Sequence, residues 1–406
     1  MYKVKDIKPI YKKTIVYLAI LTTATTVAWT NSASLNSFIS ATGSIEGIIS
    51  NNDMNGKIVC TAEFFGKLPD GGEVFLYKIN GINGFSVEVL SYGATIHRLF
   101  VPDKNGALSD VVLGRNKLEE YMETPNVTGG VIGRVANRIS DSQFKIGDNL
   151  YQTEVSSEGF TKHSGSGNYA RRNFVGKIFD RDSVAGVTLS LRDNGEGGFP
   201  GGMDISVTYS LDVNGNLRLF YEATPEEDTP ISFTNHVYFN LAGHNTGSVA
   251  DQILQIDADF YMPGLENGMP TGEILSVKGT AMDFTYPKAF REGFISDEPQ
   301  ITSIGGYDHN YCIRGRGMRR GGIAKDPKSG RCLEFFTDMP GVQLYTGVHT
   351  RENFPGKDGA TYSNGHSFCL ETQNYTNAVN WSQFPSMLYK AGEKFESETI
   401  YRFYVE

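Results

Sequence analysis

Two short runs set proton-carrying side chains among residues that are otherwise apolar. TNHVYFNL, Thr234 to Leu241, places His236 beside Val237, Tyr238, Phe239 and Leu241, and FCLETQN, Phe368 to Asn374, places Glu371 after Phe368, Cys369 and Leu370. The density of apolar and aromatic residues reads as buried or half-buried strand in both runs. Histidine is often structural at such positions, so His236 alone reads as a core group. Glutamate is almost never fully buried unless paired, and that reverses the reading. An imidazole and a carboxylate, each alone in an aromatic strand, have the make-up of a general acid and base facing one ligand.

Other polar residues fit around such a pair. Arg138, next to Asn137 in ANRI, can offer a rigid fork of donors to hydroxyl oxygens, although an ion pair on a sheet edge would use the same residue. Asp308 and His309 are adjacent; in a strand they face opposite ways, which argues against one metal ion held by both. No metal is expected. Tyr238, Phe239 and Tyr345 suit the apolar side of a ring and a protein core equally well. His97, His244, His349 and His366 have no partner legible in the sequence and read as structural or exposed.

These residues need a scaffold, and the composition points to strands. The chain has 406 residues with 46 glycines and 12% aromatics, and few helical patterns run for long. Alternating runs such as GFSVEVLSYG, DISVTYSLDVNGNLRLFYEA and GVQLYTGV are broken by Gly, Asn and Asp. Asp204 to Glu222 is the clearest hairpin, with Asn214-Gly215 suited to the positive backbone angles of a tight turn. Lys117 to Met122 can form one short helical turn. No repeat at a period of 20 to 50 residues appears, so a propeller is disfavoured. The expected fold is all-β, one large twisted antiparallel β-sandwich over residues 58–406.

A net charge of −9, from 37 basic and 46 acidic residues, argues against a nucleic-acid partner. Residues 1–30 run from lysines through an apolar stretch to small polar residues, the order of a secretory signal peptide or membrane anchor. Secretion is the expectation, with a cytoplasmic location if that segment is not a signal; residues 31–57 read as linker. Cys312 and Cys369 sit in apolar runs and look like small buried hydrophobes, not a disulfide framework. Glycosylation triplets occur at Asn126, Asn374 and Asn380; a glycan on Asn374 would block a cleft at Glu371.

From about residue 75 the chain resembles the aldose 1-epimerase (galactose mutarotase) family. The resemblance rests on SYGATIHRLFVPD, DVVLGR, GGVIGRVANRI, TNHVYFNL, GYDHNY, PGVQLYTG and FCLETQN occurring in the family's order. It implies a twisted β-sandwich with an open sugar cleft and an aldohexose substrate such as galactose or glucose. It also implies roles: His236 protonates the ring oxygen, and Glu371 takes the proton of the anomeric hydroxyl. Asp308 and Arg138 hold sugar hydroxyls and Gln343 lines the same cleft, with His163 as a further site histidine; Asn137, beside Arg138 in ANRI, is a further candidate for binding the sugar. The chain departs from the pattern at KHSGSGNYARRNF, where the family reads LHGG followed by GFD, and at Met339, where glutamine is usual. One glycine of the pair is replaced and the acid of the following loop is missing. Sugar preference is what these changes touch.

The chemistry explains the residue types. Exchanging anomers means opening the ring, turning about one bond and closing it. A base at the anomeric hydroxyl and an acid at the ring oxygen, on opposite sides of the ring, avoid both an alkoxide and an oxonium. No electron moves, so no cofactor is expected. Glu371, with a reference near 4.3, is expected to be ionised unless burial intervenes. An unperturbed imidazole is only ~25% protonated at pH 7, and a neighbouring carboxylate raising it by about one unit would give ~75%. Two other readings use the same residues. One is a carbohydrate-binding protein of the same fold with weakened turnover, separated by binding without faster anomer exchange. The other is a glycoside hydrolase with Glu371 and Asp308 as paired acids. A phosphorylated sugar is disfavoured, since no cluster of Arg and Lys stands beside these residues in the sequence, and Arg314 to Arg320 reads as a solvated loop.

Overall fold

A computed structural model describes residues 57–124, 127–181 and 183–406, within one compact unit spanning Met54–Glu406. The expected leader, nearly all of the expected linker, and Asn126 lie outside the described residues. Among the described residues no helix is long and apolar enough to cross a membrane.

A nine-stranded antiparallel sheet forms the largest layer. Its order is Val175–Arg181, Val184–Asp193, Met203–Asp212, Asn216–Pro225, Phe395–Val405, Arg331–Thr337, Arg319–Lys325, Ile253–Ile256 and Lys288–Ala289. Its inward face follows the period-2 rule: Met203, Ile205, Val207, Tyr209 and Leu211 are buried, opposite Leu217, Leu219, Tyr221 and Ala223 of the next strand. A five-stranded meander from Val59–Lys67 to Leu108–Asp110 contributes Val87, Val89, Ile96 and Leu99 to the same core. Each such side chain contributes roughly 1.5–3 kcal/mol on burial, which is why the alternation sets the layers.

The hairpin stands where expected, but with a different turn. Leu211 pairs with Leu217 and the loop is three residues, Val213 to Gly215; Gly215 alone takes positive φ, at 77°. Asp212 Oδ1 accepts from the backbone of Asn214 (2.8 Å) and Asn216 (3.0 Å), which favours the longer loop over a two-residue turn. The short helix is also present, Leu118–Glu123, with Glu120 accepting from the free amides of Asn116 and Lys117 at its start. All four cysteines are buried free thiols.

A second five-stranded sheet carries the candidate site, in the order Leu275–Ser276, Ala258–Met262, Asp308–Ile313, Gly341–Tyr345 and Cys369–Gln373. The last three strands are buried along their whole length. One face, with Tyr311, Val342, Leu344 and Leu370, joins the core. The other is polar. Registry sets Asn310 opposite Gln343 and Gln343 opposite Glu371, and Asp308 opposite Tyr345 and Tyr345 opposite Cys369. Period 2 therefore gathers Asp308, Gln343, Tyr345, Cys369 and Glu371 on one surface, while His309 points away to Gln300 at 3.2 Å.

Candidate active site

His236 reaches that surface from a segment that is only partly strand. Thr234–Asn235 pairs with Val131–Ile132, and beyond it the chain leaves the ladder. Residues 236–241 divide their backbone bonds between two neighbours: Leu113 donates to the Tyr238 carbonyl and Asn240 to that of Val111, while Phe239 exchanges bonds with Phe368. The expected continuous strand is thus corrected to a short one with a bridge at Phe239. Phe239 goes to the core against Phe368, Tyr401 and Phe403, whereas Tyr238 and Tyr345 face the cavity.

His236 Nε2 lies 3.5 Å from Glu371 Oε1. The two are neighbours on one wall and do not stand across a ring from each other. The anomeric hydroxyl and the ring oxygen are both bonded to the same carbon, so adjacent groups can address both. The imidazole stacks on Tyr238, with ring centroids 4.9 Å apart and planes 16° apart, and meets Tyr345 and His163 edge-on. The walls enclose about 230 Å³, lined by His236, Glu371, Asp308, Arg138, Asn137 and His163 together with both tyrosines.

The supporting residues interlock. Arg138 donates to Asp308 Oδ2 (3.1 Å) and to Asn137 Oδ1 (3.0 Å). Gln343 lies on the same polar face but behind the wall, donating to Asp308 Oδ1 at 2.6 Å. It therefore positions Asp308, and the expected direct place on the cleft is corrected. His163 holds its place through its own amide, bonded to the Asn137 carbonyl at 2.8 Å, and its Nδ1 accepts from the Asn137 amide at 3.2 Å. Asn137, His163 and Ser164 all have positive φ, at 65°, 50° and 65°. Such strain costs roughly 1–3 kcal/mol per residue and collects at functional sites. Ser164, where the related pattern has glycine, is steadied by its hydroxyl, which bonds both the amide and the carbonyl of Val135.

Burial governs the proton affinities, contrary to the sequence expectation. It drives His236 down to about 4, and the opposing pull of Asp308 is the smaller effect. It drives Glu371 well above the usual carboxylate range, with the Asp308 charge acting in the same direction. For Asp308 burial acts upward, but Arg138 and then Gln343 more than offset it and the carboxyl stays low. Burial thus favours the uncharged forms of both His236 and Glu371, beside an Asp308 carboxyl that Arg138 and Gln343 keep low.

His236, Cys369 and Glu371 bring three possible metal-binding atoms within 4.8 Å of one another. Cys369 Sγ, however, lies 3.5 Å from Nδ1 while Glu371 lies 3.5 Å from Nε2. One ion cannot bond both edges of the ring, so the arrangement suits control of the imidazole protons better than chelation. Asn374, in one of the glycosylation triplets, has a buried side chain that donates to the Ile231 carbonyl.

Lys162, Asn168, Arg171 and His349 also line the cavity and were not legible as site residues. His349, which reads as structural or exposed in the sequence, is exposed at this cavity and stacked on Tyr345. The one available signal was the KHSGSGNYARRNF departure, which contains three of the four.

The chain matches the Aldose 1-epimerase family over residues 76–402. It is 37% identical over 350 residues to galactose mutarotase from Homo sapiens, covering 85% of this chain and 98% of that protein. It is 30% identical to aldose 1-epimerase from Haemophilus influenzae, covering 82% and 97%. Its fold superposes on the crystal structure of galactose 1-epimerase from Lactobacillus acidophilus with a TM-score of 0.76 at 25% identity, covering 86% of this chain and 99% of that one. With the antiparallel sheets, the His236–Glu371 pair and these matches together, the chain belongs to the aldose 1-epimerase family, isomerases that interconvert the α and β anomers of aldoses.

Proposed function

We propose that His236 and Glu371 exchange protons with the ring oxygen and the anomeric hydroxyl of an aldohexose such as galactose or glucose. In this reading Arg138, Asn137, Asp308 and His163 hold the remaining hydroxyls, and Tyr238 and Tyr345 border the ring. The observation that carries the reading is the 3.5 Å approach of His236 Nε2 to Glu371 Oε1 on the wall that Arg138 and Asp308 share.

The uncharged pair has a place in this cycle. With a cyclic sugar bound, His236 carries the proton for the ring oxygen and Glu371 is ionised. Once the ring opens, His236 is neutral and Glu371 protonated, and the open-chain aldehyde faces two uncharged groups. Burial pushes both side chains toward that second state. Ring opening thus moves one proton, net, from His236 to Glu371 by way of the sugar. Ring closure from either face of the aldehyde returns the proton and gives either anomer.

Polarimetry on fresh α-D-galactose and α-D-glucose tests the reading. His236→Ala and Glu371→Gln are each expected to fold and to lose about 10² to 10⁴ in rate, the usual contribution of a placed proton-transfer group. Wild-type rates in Glu371→Gln would remove the base assignment. Sugar binding without acceleration in the wild type would favour the binding-protein reading.

A further inference from the structure

The cavity wall around Arg138 carries more positive charge than a neutral sugar calls for. Thr161–Lys162 pairs with Arg138–Ile139 so that Lys162 stands directly opposite Arg138. Directly opposed residues of an antiparallel pair share a face, and like charges there are destabilising. Both side chains line the cavity. Asp308, at 3.1 Å, compensates Arg138. Lys162 has Glu158 at 3.8 Å, a pair whose carboxylate side chain is 43% exposed, and such pairs are weak. Arg171, anchored to the carbonyls of Met122 and Thr124, adds a third cationic side chain to the lining. The chain as a whole is acidic, at −9, so this is no general surplus of basic residues. In the LHGG pattern the position of Lys162 is leucine, which would carry no charge into the cavity.

We propose that Lys162 is a specificity group that lets this site accept aldoses bearing an anionic substituent, a carboxylate or a phosphate, away from the anomeric carbon. The proposal rests on the anomer-exchange reading above and names a substrate class for the same cavity. It runs against the sequence-based disfavour of a phosphorylated sugar. Lys162 and Arg171 lie on different stretches from Arg138, and only the pairing of the two short strands and the folding of the following loop bring them to one wall.

The test compares anomer exchange, followed by NMR, on D-galactose, D-galacturonate and D-galactose 6-phosphate. Wild type, Lys162→Met and Lys162→Arg are assayed with each. The readout is the ratio of kcat/KM for the charged sugar to kcat/KM for galactose. Wild type is expected to accelerate at least one charged sugar, and the responding arm says whether carboxylate or phosphate is the fit. Lys162→Met is expected to lower the ratio by about tenfold or more, the size of one lost charged hydrogen bond, and Lys162→Arg to keep most of it. Added salt should lower the ratio in wild type and leave it flat in Lys162→Met. Acceleration of galactose with neither charged sugar, or an equal change on all sugars in Lys162→Met, would overturn this inference alone. No acceleration of any sugar would overturn the anomer-exchange reading instead.

Discussion

Arg134 and Arg138 lie in one motif, GGVIGRVANRI, and both are buried, yet they are built for different ends. Arg134 is closed on every side. Nε donates to Asp193 at 2.9 Å, and the terminal nitrogens donate to the carbonyls of Pro200 and Gly201 and to the Thr229 hydroxyl. Asp193 in turn accepts from the Tyr169 hydroxyl at 2.5 Å. Arg138 is left open: its Nε is buried without a hydrogen-bond partner, as are Gln343 Oε1 and Glu371 Oε2. A buried polar atom without a partner costs about 1–3 kcal/mol, and Arg138, unlike Arg134, lines the cavity where a ligand could supply one. Buried arginine alone does not mark a site. Access to the cavity is what separates Arg138 from Arg134.

The sharpest way to break this contrast is Arg134→Met. It strands Asp193 in the interior and is expected to cost about 3–5 kcal/mol of stability in denaturant unfolding. The catalytic constants of the protein that remains folded should hold. Arg138→Met should do the reverse, lowering kcat/KM by about 10²-fold with a smaller loss of stability, because Asp308 keeps Gln343 and lines the cavity, where water can replace the lost donor. Equal effects of the two variants on either readout would erase the distinction.

Acid extends the comparison to two buried histidines, His97 against the closed Lys357–Asp110 pair and His309 beneath the site. Burial holds His97 near about 2, with Lys357 and Arg98 adding to it, and His309 near about 4. The unfolded chain binds protons near pH 6.5 that the folded chain refuses, so this stability is whole above 6.5 and is lost as pH falls toward 4. Folding stability should therefore fall across that window, by about 3 kcal/mol per histidine, and the thermal midpoint should fall with it. A flat profile would mean that the two imidazoles are hydrated. The smallest expected effect is Gln343→Leu, which loosens one of the two holds on Asp308. It should raise KM for galactose by about three- to tenfold while changing kcat less.

Much of the fold was legible because strands announce themselves by period. The alternation from Met203 to Asp212 dictates which side chains enter the core, and the opposite facing of Asp308 and His309 follows from adjacency alone. TNHVYFNL misled because its aromatic density matches a strand, while its backbone bonds are shared between two partners no local pattern reveals. The Asn214-Gly215 turn misled because the Asp212 side chain, not the dipeptide, sets the loop length.

The amino-acid order by itself determined which groups can move protons and which face of each strand they occupy, since both depend on residue type and a period of two. Tertiary structure decided that His236 and Glu371 are side by side, that Lys162, Arg171 and His349 share their cavity, and that burial outweighs neighbouring charge in setting their protons. Registry between distant strands and the loss of water around a side chain are properties of the packed layers, and no stretch of sequence contains them.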